Sequence, residues 1–383
     1  MNNKIKVLHI IPSIGKGGAE RVAVNLCNEL SIRENIEVKL IYFYPYNEYE
    51  HLLNDKLTHF INCNVSLSVI KKNIKQIEEF DNLINEFKPD IIHSHLYEAE
   101  ILSRYKLHDC IYVSHLHSFR KQFVLPKFKD LFYKEKLTQL YERSFLIKRY
   151  RRCNNKFIAV SNQVRDFYIK HLPNKLNNIF LLFNPINFND FYCSKKNILN
   201  KNKIKLISVG SLRKLKNHVF LVDIVHELIK RNIDVELLIL GEGKEREAIQ
   251  SKIDKYNLKD KIKLVGNVVK PEDYYKNADI YVHSSTSESF GLSILEAMAS
   301  GLPCITLDAK GNRDIIKDGI NGYMIYKQEI DVFCDKIQTL VNNEELYIKM
   351  SNNAIEFARD FDIKIYIDKL VDYYINLLKN KKK

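Results

Sequence analysis

The sequence predicts an α/β protein with two doubly wound domains, each built on a parallel β-sheet with helices on both faces. The length of 383 residues suits two domains of ordinary size. In both halves, short apolar runs typical of buried parallel strands alternate with segments whose apolar residues recur at helical spacing. An Asn- and Lys-rich stretch without hydrophobic periodicity separates the two halves and reads as a linker.

This alternation defines the expected elements and domain boundaries. The domains are predicted as residues 1–190, a linker at 191–203, residues 204–364, and an amphipathic C-terminal helix at 365–383. The predicted strands of the first half are 5–13, 38–44, 59–63, 90–95, 111–116, 157–161 and 179–183, with a helix over 70–87. Those of the second half are 204–209, 235–240, 262–265, 280–283, 304–307 and 322–325.

A glycine loop follows the first predicted strand. It contains Gly17 and Gly18 and leads into a helix that begins at about Ala19. A strand, a glycine loop and a helix form a geometry in which backbone N–H groups can approach a phosphate. The spacing matches neither of the common phosphate-binding motifs, so a simple tight turn remains an equal alternative.

Four histidines, His93, His95, His115 and His117, lie at the ends of two predicted strands of the first half. Residues i and i+2 of a strand share a face, so each His-x-His pair could in principle hold a metal. No carboxylate or cysteine recurs at ligand spacing beside them. We therefore expect structural or hydrogen-bonding histidines and no metal site.

The segment 119–152 is strongly basic and aromatic. It has eleven Lys or Arg and three acidic residues, a net charge of +8, interleaved with eight Phe or Tyr. Such a segment can lie on an anionic membrane surface. The alternative is a pair of solvated helices whose aromatic side chains face the core.

A cationic loop follows the first strand of the second half. After the tight exit at Gly210 come Arg213 and Lys216, which could neutralise a diphosphate.

The stretch from Ser284 to Pro303 contains two acidic residues on either side of a helix start. Glu288 lies in a polar loop after a strand, and Glu296 lies about two turns into the following helix, at roughly 1.5 Å per residue. The helix N-terminus between them favours a phosphate. Carboxylates on both sides suit the sugar hydroxyls at the two ends of a sugar diphosphate. From the residues alone, two unrelated glutamates remain the alternative.

Composition excludes several classes of protein. The seven cysteines are scattered without a C-x-x-C motif, which argues against a disulfide framework or a zinc site and for a reducing, cytoplasmic environment. No apolar run reaches the length of a membrane-spanning helix, and the N-terminal residues lack the pattern of a signal peptide. The net charge is +13, but no recognised nucleic-acid-binding module accompanies it.

The block beginning at Glu288 resembles the E-x7-E motif of retaining glycosyltransferases of the two-Rossmann-domain (GT-B) type, specifically glycosyltransferase family 4. The residues that carry the resemblance are Glu288, Phe290-Gly291-Leu292, Glu296-Ala297 and Gly301-Leu302-Pro303. The resemblance covers nearly the whole chain and is strongest from 210 to 322. It implies two Rossmann-like domains facing a cleft, with a last helix that crosses back to the first domain.

The resemblance also implies roles for particular residues. Glu296 would hold the nucleotide ribose, while Glu288 and the backbone of Phe290, Gly291 and Leu292 would hold the donor sugar. Lys216 falls on the family lysine. Ser211 stands where the family has an arginine, which leaves Arg213 as the substitute. His117, or alternatively His115, would lie near the donor sugar. The other implied contacts of the nucleotide or diphosphate are Gly17, Gly18, Gly210, Glu242 and Asn267.

The implied reaction is transfer of a sugar from a nucleotide-diphospho-sugar, expected to carry UDP, to an acceptor hydroxyl with retention at the anomeric carbon. The expected acceptor is a lipid-linked or oligosaccharide glycan of bacterial surface polysaccharide synthesis, reached at the inner face of the cytoplasmic membrane. No metal or other cofactor and no nucleic acid is expected. The alternatives are an epimerase or hydrolase on the same fold, or a non-catalytic nucleotide-sugar-binding subunit.

Overall fold

The computed structural model describes residues 4–15, 17–48, 57–69, 71–127, 133–176, 178–193 and 203–381. The chain divides into two compact units. The first comprises Met1–Asn184 together with Ile363–Lys383, and the second comprises Pro185–Asp362. The residues 185–190, expected in the first domain, therefore lie in the second unit, and 194–202 of the predicted linker lie outside the described residues.

The first unit is built on a seven-stranded parallel sheet. In chain order the strands of the whole unit, including two outside this sheet, are β1 (Ile5–Ile11), β2 (Ile36–Tyr42), β3 (Thr58–Phe60), β4 (Asn64–Ser66), β5 (Ile74–Gln76), β6 (Ile91–His95), β7 (Ile111–Leu116), β8 (Lys156–Ala159) and β9 (Ile179–Leu181). The sheet order is β3-β2-β1-β6-β7-β8-β9, and β4 and β5 form a separate antiparallel pair. Strand order reverses beside β1, which is the place where doubly wound sheets bind ligands at their carboxyl edge.

Helices cover this sheet. They are α1 (Gly18–Ser31), α2 (Glu78–Phe87), α3 (Tyr97–Tyr105), α4 (Lys134–Arg152) and α5 (Asn162–His171). The single helix expected over 70–87 is wrong in its first half, because α2 begins only at Glu78. The Ser68 N–H donates to Asn73 Oδ1 at 2.8 Å, a turn contact that favours the β4–β5 hairpin over a helix at this point.

The second unit contains a six-stranded parallel sheet. Its strands are β10 (Ile204–Val209), β11 (Val235–Leu240), β12 (Ile262–Gly266), β13 (Ile280–His283), β14 (Cys304–Leu307) and β15 (Gly322–Ile325), in the order β12-β11-β10-β13-β14-β15. Its helices are α6 (Phe188–Phe191), α7 (His218–Lys230), α8 (Arg246–Lys255), α9 (Glu272–Tyr275), α10 (Leu292–Ala299), α11 (Ile330–Asn342) and α12 (Glu344–Arg359). One continuous core joins β10, β11 and β13 to the apolar faces of α7 and α11.

The last helix, α13 (Ile363–Lys381), belongs to the first unit. It packs beside α1, where Arg33 Nη2 lies 2.6 Å from Asp368 Oδ1. Its buried Tyr374 reaches the carboxyl end of the first sheet and contacts His93. The return of the chain therefore adds a side chain to the histidine cluster of the first unit.

Candidate active site

The loop between β13 and α10 enters its helix through a glycine with a positive φ. Gly291 has φ +114°, a backbone conformation in which a residue with a Cβ would be strained. No side chain in the described part of the protein caps the start of α10. The Ile294 N–H already donates to Gly291 O at 3.0 Å, so the amides of Leu292 and Ser293 at the very start of the helix are those that an anionic ligand could meet.

Glu288 is the centre of a charged group in this loop. Its Oε1 pairs with the Lys216 ammonium and lies 3.0 Å from His283 Nε2. All three side chains are largely buried, with exposures of 11%, 20% and 3%. Burial alone would raise the pKa of Glu288, but the Lys216 charge and His283 together lower that pKa below its ordinary value. The carboxylate is therefore ionised at neutral pH although it is almost buried.

The far side of His283 connects to helix α10. Tyr281 Oη lies 3.2 Å from His283 Nδ1 and 2.8 Å from Ser293 Oγ in the first helical turn. Because Glu288 can only accept when ionised, His283 donates through Nε2 and is left with Nδ1 as an acceptor. Ser293, Tyr281 and His283 thus link the helix start to the Glu288 carboxylate. His283 and Tyr281 were not predicted; the clue was their alternate, same-face spacing at the end of the strand that precedes Glu288.

A second loop holds the backbone of Glu288. The Glu288 N–H donates to Ala309 O at 2.9 Å, and a Cβ on Gly311 would fall 2.3 Å from Glu288 O. Only glycine permits this close approach. The carboxylate therefore sits on a backbone that a neighbouring loop holds in place.

Glu296 lies in the second turn of α10 and is 6% exposed. Tyr275 Oη donates to Glu296 Oε2 at 3.2 Å and lies at the same distance from Ser293 O. The tyrosine ties the carboxylate to its own helix. A buried carboxylate held in one rotamer suits the orientation of a ligand hydroxyl.

Gly210 lies in a loop that packs closely against the loop carrying Glu242. A Cβ on Gly241, with φ +133°, would lie 2.2 Å from Gly210 O, and the Leu212 N–H donates to Glu242 O at 2.8 Å. Arg213 is exposed, and its Nε donates to Ser211 Oγ at 2.8 Å. Arg213 is therefore attached to the very serine that occupies the family arginine position.

Of the remaining residues predicted to contact the nucleotide, two are exposed at strand ends and one has a buried side chain. Glu242 and Asn267 are exposed at the ends of β11 and β12, and Glu242 pairs with Arg246 at 2.7 Å. Phe290 is 2% exposed and its ring lies 6.0 Å from that of Phe361, so its side chain belongs to the core. Any contact of Phe290 with a ligand would therefore be made by its backbone.

In the first unit, Gly17 precedes α1 and Gly18 is its first residue. The Arg21 N–H donates to Gly17 O at 3.0 Å, so this glycine closes the first helical turn. These residues follow β1 at the carboxyl edge of the sheet.

The histidines of the first unit form one buried cluster, as their strand positions predict, and His9 joins them from β1. His9 is paired with His93 in the sheet register, and His95 is paired with His115. Burial lowers the pKa of His9 to about 3, and burial with mutual repulsion lowers the pKa values of the other four well below 6.5. All five rings are therefore neutral at pH 7.

Two groups in this cluster have the composition of a metal site. Three ring nitrogens lie within 4.8 Å of one another in His9, His93 and His95, and likewise in His95, His115 and His117. The nitrogens of His95 and His117 point at each other across 2.9 Å. That is a hydrogen-bond arrangement, whereas metal ligands direct their lone pairs to a shared point about 2 Å away.

A second buried network, missed in the sequence, centres on Glu100. Arg120 Nη1 pairs with Glu100 Oε1 at 2.5 Å, and Ser114 Oγ donates to Oε2 at 2.7 Å, as does Tyr150 Oη. Burial would raise the pKa of Glu100, but Arg120 and Arg104 lower it. The signal was Glu100 and Arg104, two opposite charges four residues apart and therefore on one face of a helix. Arg120, counted in the basic segment, is thus an internal ion-pair partner.

Comparison with known proteins identifies the chain. The family model described as "Glycosyl transferases group 1" matches residues 193–357 of this chain. The model described as "Glycosyltransferase Family 4" matches residues 16–190. Together these matches cover the first sheet except β1, the whole second sheet and the Glu288 loop. The fold is of the GT-B type, and the matched families make the protein a glycosyltransferase. The chain belongs to the family 4 glycosyltransferases, as the sequence predicted.

Similar proteins share the full length of this chain. An Escherichia coli UDP-Gal:alpha-D-GlcNAc-diphosphoundecaprenol alpha-1,3-galactosyltransferase is 26% identical, with 99% of each chain covered. A Campylobacter jejuni N-acetylgalactosamine-N,N'-diacetylbacillosaminyl-diphospho-undecaprenol 4-alpha-N-acetylgalactosaminyltransferase is also 26% identical, over 94% of this chain and 97% of its own. The structure of Anabaena HepE with UDP and glucose superposes with a TM-score of 0.77 at 17% identity, covering 97% of this chain and 100% of HepE.

Proposed function

We propose that this glycosyltransferase uses a UDP-sugar as donor and transfers the sugar, with retention, to a hydroxyl of an undecaprenyl-diphosphate-linked glycan in surface polysaccharide synthesis. The observation that carries the donor side is the buried Lys216–Glu288–His283 group beside the open start of α10. The activities of the E. coli and C. jejuni relatives support the acceptor side, because both act on diphospho-undecaprenol-linked sugars.

The proposed roles follow from charge and burial. Lys216 and the first-turn amides of α10 stabilise the departing diphosphate, and Arg213 adds a second cation from the loop edge. The ionised Glu288 accepts hydrogen bonds from donor-sugar hydroxyls, and Glu296 accepts one from the ribose. His117 contacts the transferred sugar. The acceptor hydroxyl attacks the anomeric carbon on the face that the diphosphate leaves, and a phosphate oxygen takes its proton.

The first experiment identifies the donor. Thermal unfolding is measured with a set of nucleoside diphosphate sugars, and the one that raises the melting temperature most is incubated with and without diphosphoundecaprenol-linked acceptors. We expect a UDP-sugar to stabilise the protein and to be consumed with formation of a longer lipid-linked glycan. Epimerised or hydrolysed sugar as the main product with acceptor present would contradict the proposal, as would binding without turnover of any acceptor.

We also propose that transfer needs no metal ion. Two cations, Arg213 and Lys216, and the helix start offer positive charge to the diphosphate, which is the task that a divalent ion performs in metal-dependent transferases. Activity should survive exhaustive treatment with EDTA. Loss of activity that Mg²⁺ or Mn²⁺ restores would contradict this part of the proposal.

A further proposal concerns the membrane. The described part of the segment 119–152 exposes the cations Lys121, Lys127, Lys134, Lys148, Arg151 and Arg152. Leu125 and Tyr133 are 62% and 65% exposed beside them. Phe123 and Tyr150 are buried, as the alternative of aromatics that face the core expected of them, and Phe128 and Phe132 lie outside the described residues. The exposed cations, with fewer aromatics, carry the proposed contact with anionic lipid.

Liposome binding tests this contact. Each Lys or Arg near an anionic surface contributes about 1 kcal/mol, so Lys148→Gln with Arg151→Gln should weaken binding about 30-fold. Lys255→Gln with Lys270→Gln, two exposed cations of the second unit, is the control with equal charge loss. Binding to anionic vesicles should also weaken with salt. Equal effects of the two variants, or equal binding to neutral vesicles, would contradict the proposal. No helix among the described residues is long and apolar enough to span a bilayer.

A further inference from the structure

The buried histidines of the first unit are joined in a continuous chain of polar contacts. His117 Nε2 lies 2.9 Å from His95 Nδ1, and His95 Nε2 lies 2.9 Å from His9 Nδ1. Tyr374 Oη on α13 follows, 3.4 Å from His9 Nε2 and 2.5 Å from His93 Nδ1. This series of contacts, called the histidine chain below, therefore runs from the end of β7 across the sheet to α13, the C-terminal helix.

The ring geometry identifies the two contacts between histidines as hydrogen bonds. The ring centroids of His95 and His117 are 5.2 Å apart at an interplanar angle of 28°, and those of His9 and His95 are 5.1 Å apart at 22°. With nitrogens only 2.9 Å apart, the rings meet edge to edge and the nitrogens face each other nearly in the ring planes. An N–H of one ring then points directly at the lone pair of the next.

The direction of these hydrogen bonds couples the tautomers of the rings. A neutral imidazole has one N–H and one lone pair, so a ring that donates from Nε2 must accept at Nδ1. Each contact joins Nε2 of one ring to Nδ1 of the next, so His117, His95 and His9 must all carry their proton on the same kind of nitrogen. A mixed arrangement would set two protons or two lone pairs against each other.

At one end of this histidine chain, a buried nitrogen has no partner among the described residues. His117 Nδ1 has no hydrogen-bond partner among the residues that the structure describes, and its ring, 7% exposed, lies just past β7 at the carboxyl edge of the sheet. That edge is where doubly wound sheets present groups to ligands. The tautomer of the chain decides whether this nitrogen offers an N–H or a lone pair.

We propose that His95, His9 and Tyr374 are positioning residues that hold His117 in a single neutral tautomer, so that its Nδ1 meets a substrate hydroxyl with one defined hydrogen-bonding role. This proposal rests on the proposed function of the protein as a sugar transferase. Tyr374 sets the far end, because its hydroxyl lies between His93 Nδ1 and His9 Nε2 and can donate its single proton to only one of them. Without that hydroxyl the direction of the chain loses its anchor, and both tautomers of His117 become populated.

The sharpest variant is Tyr374→Phe, which removes one oxygen and keeps the buried ring. Its matched control is Tyr366→Phe, two turns earlier on the same helix, where the hydroxyl is buried and has no hydrogen-bond partner in the described parts of the chain. Both variants delete one buried hydroxyl of α13. Only the first breaks the chain.

The tautomers are read from full-length protein labelled with ¹⁵N-histidine, by long-range ¹H–¹⁵N correlation spectra assigned with single-histidine variants. We expect one common tautomer for His9, His95 and His117 in the wild type. Tyr374→Phe should mix the tautomers and lower kcat about three- to tenfold, the effect of one hydrogen bond, with the donor KM nearly unchanged. Tyr366→Phe should leave both readouts as in the wild type.

Several results would overturn the proposal. Different tautomers within the wild-type trio would do so, as would a Tyr374→Phe variant that matches Tyr366→Phe in spectra and kcat. Stoichiometric metal, found by elemental analysis and removed by a chelator with a change in these histidine signals, would also overturn it. The spectra need no substrate, so they decide the coupling of the tautomers even if no donor is turned over, which would instead contradict the proposed function.

Discussion

Replacing Lys216 with methionine tests the charged group of the second unit most directly. Lys216→Met keeps an unbranched side chain of similar length and removes only the ammonium that pairs with Glu288. The variant loses one hydrogen bond between charged groups, which contributes about 1.5–3 kcal/mol. If Lys216 also stabilises the departing diphosphate, kcat/KM should fall about 10- to 150-fold.

The same variant should change the pH dependence of the reaction. In the wild type, Lys216 opposes the effect of burial and lowers the pKa of Glu288 below 4.5. Without Lys216 the burial effect is less opposed and the pKa rises. Glu288 should then become protonated at higher pH, so the acid limb of the kcat/KM profile should move to higher pH in Lys216→Met.

The matched control is Lys214→Met, an exposed lysine in the same short helical turn, with the same loss of charge. The assay is initial-rate kinetics with the donor found by thermal shift, across pH. Lys214→Met should stay close to the wild type in rate and profile. If both lysine variants lost activity equally, or if the acid limb did not move, the electrostatic role assigned to Lys216 would be refuted.

Three further predictions concern the same unit. Glu296→Gln should weaken UDP binding, measured by calorimetry, by about 1.5–3 kcal/mol. The control Glu247→Gln, at an exposed glutamate, should bind UDP as the wild type does. Equal UDP affinity of Glu296→Gln and the wild type would contradict the ribose role. Arg213→Ala should lower kcat/KM with little change in melting temperature, because the side chain is exposed, and full activity would place the second cation elsewhere. Since the pKa of Glu288 lies below 4.5, its ionised form stabilises the fold above that pH and the contribution is lost as pH falls through the lower folded-state value. The melting temperature of the wild type should therefore fall more steeply below pH 4.5 than that of Glu288→Gln, and parallel curves would contradict this.

The sequence predicted the local elements of the site because local patterns encode them. The apolar run of β13, the polar loop and the helical spacing after it predicted the order of strand, loop and helix that the structure has. The hairpin of β4 and β5 was missed for the opposite reason. It depends on a pairing between 64–66 and 74–76, and Ile74 is exposed there, so hydrophobic periodicity carried no signal.

Residue types predicted the chemistry of single positions but not their partners. Lys216 and Glu288 are 72 positions apart, and only the resemblance suggested that both serve one ligand. Arg120 counted as a surface cation in the sequence, yet it is 6% exposed and paired with Glu100. A charge count cannot distinguish these cases, because burial depends on which elements pack over the side chain.

The sequence by itself determined the two alternating α/β halves, the glycine-led loops and the acidic pair around a helix start, since each follows from propensity and periodicity over a few residues. Tertiary structure alone decided which side chains meet. His93 and Tyr374 are 281 positions apart and touch because α13 returns to the first unit. His283 reaches Glu288 because strand and loop fold back on each other. Such contacts depend on strand order and on packing between distant segments, and the free energy of that packing is a property of the whole fold.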